Sequence, residues 1–184
     1  MRLAALAFIC FIGFAQISHA DGSKAGFSST LYLGGISQVG ELASQGLRFG
    51  AGFGATYKFD SDYAIDVAYQ GASFNDIDHR DFDFGAKYFP EIEYFDQETN
   101  GHLSFGFSFI HNDFKTVSRS GDAVGIYVGA GMDFGLTERL RLGYELRFHK
   151  VAPSKATVAG TEITTVSDTA SLMLALTYAP DFSD

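Results

Sequence analysis

The chain has 184 residues, of which 46% are hydrophobic and 15% aromatic, with a formal net charge of −9 at pH 7. That length suits one domain, and the acidic balance argues against a nucleic-acid partner, because phosphate recognition needs a basic face. The single cysteine, Cys10, lies in the opening apolar run, so disulfides, thiolate metal sites and cysteine nucleophiles are excluded from the rest of the chain.

Residues 1–20 have the form of a cleaved signal peptide. Arg2 gives the positive start, Leu3 to Ile17 the apolar core, and Ser18-His19-Ala20 a small-x-small cleavage site. A membrane-spanning helix needs about 20 apolar residues, and this run is shorter and lacks a basic flank. Residues 21–184 then form the expected folded domain.

Eight strands are predicted in that domain. The first covers about Phe27 to Gly35, with Phe27, Leu31 and Leu33 on one face, followed by a Gly-, Ser- and Gln-rich loop to Gly46. The second, Leu47 to Phe59, alternates for thirteen residues, apolar or aromatic at the odd positions and small or polar at the even ones. Successive strand side chains point to opposite faces, so this run carries one greasy face and one thin polar face. Asp60-Ser61-Asp62 has the chemistry of a tight turn.

The third strand runs from Tyr63 to Ser73 and the fourth from Arg80 to Phe89, with Asn75 to His79 as the loop between them and Pro90 as the stop. A longer connection, Glu91 to Gly101, leads to the fifth, His102 to Ile110. After a loop from Asn112 to Gly121 come the sixth, Asp122 to Phe134, and a short turn, Gly135 to Glu138. The seventh covers Arg139 to His149. A polar loop from Lys150 to about Val166 precedes the eighth, Ser167 to Tyr178. No helix-period segment and no internal repeat beyond the hairpin rhythm is expected after residue 20.

With no apolar run long enough for a spanning helix, crossing a bilayer would require a closed barrel, since only helices and barrels satisfy every backbone polar group in lipid. The polar face decides which side is outside. It is largely Gly, Ser, Thr and Ala with a few charges of both signs, which suits the narrow interior of an eight-stranded barrel rather than a water-facing exterior. The apolar face carries no formal charge, as hydrocarbon contact requires. The expected fold is therefore all-β: an eight-stranded antiparallel up-and-down transmembrane barrel. Its first, third, fifth and seventh connections would be extracellular and the others periplasmic. Tyr57, Phe59, Tyr69, Tyr88, Phe134, Tyr144 and Tyr178 are candidates for an interfacial aromatic belt.

Lumen charges need partners. Lys58, Asp66, Asp83, Lys87, Asp133, Arg141, Glu145 and Arg147 are accordingly expected to form an internal ion-pair network, and the inward Tyr32 and Tyr127 suggest a filled interior rather than a pore.

The segments LRLGYELRFHK and TASLMLALTY, with the signal and the eight alternating strands, resemble the small outer-membrane barrels of the OmpA and OmpX kind, including the opacity-type porin-family proteins. The resemblance covers nearly all of the chain after residue 20. It departs at the end, where Ala179 to Asp184 follow Tyr178 in place of a terminal aromatic. It implies a non-enzymatic protein of the Gram-negative cell outer membrane, contributing to envelope integrity or to cell-surface interaction through its loops. The implied partners are outer-membrane lipid and lipopolysaccharide, the outer-membrane assembly machinery and an extracellular ligand.

Other chemistries find weaker support, and no cofactor is expected. Gly50-x-Gly52-x-x-Ala55 mimics a dinucleotide fingerprint but sits within a strand rather than at a strand-to-helix turn. His79, His111 and His149 fall at predicted extracellular strand ends near Asp76, Asp78 and Asp113, where rim metal binding is conceivable, yet their spacing matches no metal signature. His149 with Ser154 and Glu162 is the one local set for a lipid A-modifying enzyme, and it lacks the expected spacing. A narrow channel and a soluble periplasmic barrel for an apolar ligand are the remaining alternatives.

Overall fold

The computed structural model describes residues 26–60, 62–90, 99–115, 119–158 and 161–180. The expected signal peptide, the connection at 91–98 and the last four residues lie outside that set. The strands are β1 (Gly26–Gln38), β2 (Leu47–Lys58), β3 (Tyr63–Ser73), β4 (Ile77–Tyr88), β5 (Thr99–Phe114), β6 (Arg119–Gly135), β7 (Leu140–Val151), β8 (Ser154–Val158), β9 (Thr161–Val166) and β10 (Thr169–Tyr178). Eight of them close an antiparallel up-and-down barrel in the order β1-β10-β7-β6-β5-β4-β3-β2, and β8 and β9 form a separate hairpin. Closure removes the sheet edges, so each of the eight barrel strands has a partner on both sides. Among the described residues no helix is long and apolar enough to cross a membrane.

One end, here the lower, carries the turns after β2 and β6 and the connection after β4. Asp60 builds the first turn, its Oδ1 accepting from the backbone N–H of Asp62 at 2.8 Å and of Tyr63 at 2.7 Å. The upper end carries the connections after β1, β3, β5 and β7.

The alternation turns outward as expected. Phe49, Phe107 and Leu174 are 73%, 61% and 63% exposed, and the outward positions of the mid-wall carry no charge. An apolar exterior of this kind excludes the inside-out arrangement of a soluble carrier. At the lower end Tyr63 joins the aromatic rim, its ring 5.2 Å from that of Tyr88 and 6.5 Å from that of Phe59. Tyr69 instead stands higher in the wall, 5.4 Å from Phe53.

The structure differs from the sequence expectation mainly at the upper end. β5 and β6 continue in register to the pair Phe114↔Arg119, through residues expected as loop. Polar side chains such as His111 and Asp122 lie across from each other there, so pairing costs nothing once the wall leaves its apolar zone. Residues 40–45 form a 3-10 helix, and β8–β9 occupies the expected polar loop, drawing on the β-branched Thr157, Ile163, Thr164 and Val166.

Candidate functional site

The inward positions below the upper mouth hold a buried charged cluster centred on Arg147. Its Nε donates to Glu145 Oε1 at 2.9 Å, Nη1 to Asp83 Oδ2 at 2.8 Å and Nη2 to Asp66 Oδ2 at 3.0 Å. The guanidinium also lies between the rings of Tyr32 and Tyr127, at 5.4 and 5.3 Å from their centres. Lys87 Nζ lies 3.1 Å from Asp66 Oδ1 and 3.3 Å from Glu145 Oε2. Hydroxyls complete these carboxylates. Thr56 donates to Asp66, Ser104 to Glu145, and Tyr32 to Glu145 at 3.1 Å. Buried charges survive in low dielectric only when paired and hydrogen-bonded in this way.

Glycines make room for the two large inward rings. A Cβ on Gly85 would stand 2.6 Å from the Tyr127 hydroxyl, and one on Gly54 would stand 2.9 Å from Tyr32 Cε2. The small residues of the polar face are therefore the spatial complement of Tyr32, Tyr127 and Arg147.

Of the eight residues expected as an ion-pair network, Asp66, Asp83, Lys87, Glu145 and Arg147 meet in this cluster. Asp133 lies lower, with Oδ2 3.8 Å from His102 Nδ1, and Arg141 Nη2 donates to its backbone carbonyl at 3.3 Å. Lys58 Nζ sits 4.5 Å above the ring of Phe89.

The histidines differ most from expectation. His79 and His149 are buried inside the barrel rather than solvated at the rim, because they share the inward parity of Asp81 and Arg147. His149 Nε2 lies 3.0 Å from Asp83 Oδ2, and its Nδ1 3.1 Å from Thr169 Oγ1. Glu162 pairs with Lys155 at 3.2 Å, so His149, Ser154 and Glu162 do not assemble into a triad. His111 alone faces outward, 2.6 Å from Asp122 and 3.0 Å from Asp113. The hydrogen bond to Asp122, and then that to Asp113, holds its imidazole above the ordinary pKa of 6.5 despite some desolvation. Nearby, hydrogen bonds from Ser73 and then Lys115 hold the Asp78 carboxyl below its usual range. With Arg80–Asp113 at 3.2 Å and Lys150–Asp168 at 2.6 Å, these pairs make a charged collar above the apolar wall.

Sequence reasoning missed the apolar lid of the lumen. Ile36, Ile77 and Phe74 are buried at the upper mouth, with Leu42 of the 3-10 helix and Phe114 packed against them. Ile110, Ala123, Val151 and Val166 form a second patch under the β8–β9 hairpin. The signal was available: Ile36, Ile77, Ile110 and Val151 break the polar face at inward parity, each near the upper end of its strand.

Among solved structures the chain is similar to Neisserial surface protein A, at 15% identity, over 85% of this chain and 97% of that one, with a TM-score of 0.59. The attachment invasion locus protein Ail of Yersinia pestis, solved with the heparin analogue sucrose octasulfate, matches at 14% identity, over 84% and 97%, with a TM-score of 0.56. The N-terminal β-barrel domain of OprF from Pseudomonas aeruginosa matches at 13%, over 84% and 99%, with a TM-score of 0.53. The chain has the fold of the small eight-stranded outer-membrane barrels. At these identities the likeness is one of fold, and no protein-family model and no curated protein sequence matches.

Proposed function

We propose that this chain is a non-enzymatic protein of the bacterial outer membrane, a closed and filled cylinder that anchors the connections of its upper end at the cell surface for envelope integrity or surface interaction. The observation that carries the reading is the pairing of two surfaces: an uncharged Phe- and Leu-rich exterior and an interior occupied by the ion-paired Arg147 layer. An exterior of that composition needs hydrocarbon around it, since a Lys or Arg at the bilayer midplane costs about 2 to 4 kcal/mol and Phe or Leu in water costs burial energy. An interior occupied by Arg147, its ion partners and two tyrosines favours a filled scaffold over a channel. Specificity on such scaffolds resides in the loops. Outer-membrane lipid, lipopolysaccharide, the barrel assembly machinery and a ligand of the upper loops are the partners this reading implies.

Membrane fractionation combined with gel migration of boiled and unboiled samples tests it. The expected result is recovery in the outer-membrane fraction, with the unboiled protein migrating as a compact species. Recovery in the soluble periplasmic fraction overturns the reading.

A further inference from the structure

Beside the Arg147 layer the lumen holds a second group of buried polar side chains, in which Asp83 and His149 are paired and their neighbours Asp81 and Gln70 are left with unpartnered atoms. Asp81, Asp83 and His149 each offer a donor atom, all within 4.8 Å of one another. All three are buried, at 1%, 0% and 0% exposure. Gln70 faces Asp81 directly across the β3–β4 ladder, is fully buried, and has neither Nε2 nor Oε1 hydrogen-bonded among the described residues. The Oδ1 of Asp81 has no hydrogen-bond partner there either. An orphaned buried polar atom loses its water with no bond in return, so two adjacent residues left this way point to something that completes them.

The lining suits a cation. Four carboxylates, Asp66, Asp81, Asp83 and Glu145, are buried among the described residues. His79, across from Asn112 on the β4–β5 ladder, stands beside them, with Nε2 3.4 Å from Asp81 Oδ2 and Nδ1 2.8 Å from Asn112 Oδ1 and 3.2 Å from Gln38 Nε2.

We propose that Asp81, Asp83 and His149, flanked by Gln70 and His79, bind one divalent transition-metal ion of the zinc class inside the barrel. One imidazole with two carboxylates is a borderline donor set suited to zinc and its neighbours rather than to calcium or magnesium, which take oxygen alone. Donors on one tetrahedral ion at about 2.0 to 2.2 Å stand about 3.3 to 3.6 Å apart, so the carboxylates turn inward from their 4.8 Å spread to close the site. The supports for the ligands are present. Arg147 Nη1 holds Asp83 by Oδ2, and Thr169 Oγ1 meets His149 Nδ1, leaving Nε2 as the metal-facing nitrogen. The lid of Ile36, Phe74, Ile77 and Val166 shields the site from water, so the ion is captured as the barrel closes.

The test folds the full chain into detergent micelles with Zn²⁺, removes free metal on a desalting column and measures bound zinc by elemental analysis, with Co²⁺ absorption as a second readout. The expected result is close to one zinc per chain and a cobalt spectrum of low coordination number. Asp81→Asn and His149→Gln lower the affinity by about tenfold or more, as does Thr169→Val, which removes only the support of His149 and preserves side-chain shape. The rim variant His111→Gln leaves binding unchanged. Wild-type protein that retains no zinc, or binding lost with His111→Gln and kept with Thr169→Val, overturns the proposal. The wild-type measurement decides even if the buried variants fail to fold.

Discussion

At the scale of single residues, Arg147 is the side chain on which the interior depends. It meets three carboxylates, and removing it leaves them facing one another with Lys87 as the one buried lysine or arginine among the described residues. Breaking a buried pair by deleting one partner costs about 3 to 5 kcal/mol, more than the net value of the pair itself. Arg147→Ala should therefore lower the free energy of unfolding, read from urea titration in lipid vesicles, by an amount in that range. Arg147→Lys should recover only part of it, because an ammonium cannot reproduce the fork that reaches Glu145, Asp83 and Asp66 together. At the surface, His111 gives a milder and opposite lesson. Its folded pKa is raised, so its contribution to stability is full below the unfolded value near 6.5 and fades as the pH rises through the folded value. A proton NMR titration should place the imidazole above 6.5, and Asp122→Asn, which removes the main cause, should move it down. An unchanged titration in that variant would detach the shift from the cross-strand pair.

At the scale of elements, each strand is a wall with two environments, and the outer one should penalise charge strongly. Phe107 is the centre of this test, outward on β5 and paired with Phe84 and Ile126 on either side. Phe107→Lys should destabilise the barrel in bilayers by about 2 to 4 kcal/mol, while Ser108→Ala, the next residue and inward, should shift it far less. Equal effects in equilibrium unfolding would remove the two-sided wall.

The same periodicity explains what is legible in the sequence alone. The eight barrel strands, their outward faces and the inward Tyr32 and Tyr127 follow from strict alternation, because a one-residue slip would put Phe and Leu inside and Asp and Arg in the wall. The upper end was less readable. There the wall leaves its apolar zone, both faces become polar, and nothing local says where pairing stops, so β5 and β6 ran past their expected ends. The lid was missed for a related reason: Ile36 and Ile77 are apolar at polar-face positions, and their value lies in one cluster with Leu42 and Phe74 that joins the end of β1 to the β3–β4 turn across the mouth. The inward parity of His149 follows from that of Arg147, two residues before it. Its burial depended on the lid, which alternation does not encode.

At the scale of the whole molecule, the lumen is sealed twice, and the two seals should be separable. The upper one is apolar: the 3-10 helix, Phe74, Ile77 and the β8–β9 hairpin with Val166. The lower one is polar: Arg147 between the tyrosines, tied to β3, β4 and β7. Deleting residues 154–166 should leave the barrel closed, because β7 and β10 pair directly from His149↔Thr169 to Leu140↔Tyr178 without the hairpin. The unboiled protein should still migrate as the compact form. It should also remain silent in planar bilayers, like the wild type, since opening the mouth only brings water down to the Arg147 layer. Unitary currents should require both changes, the hairpin deletion together with Arg147→Ala. If deletion of the hairpin alone conducts, the ion-paired layer is no barrier and the protein is better described as a gated channel than as a filled scaffold.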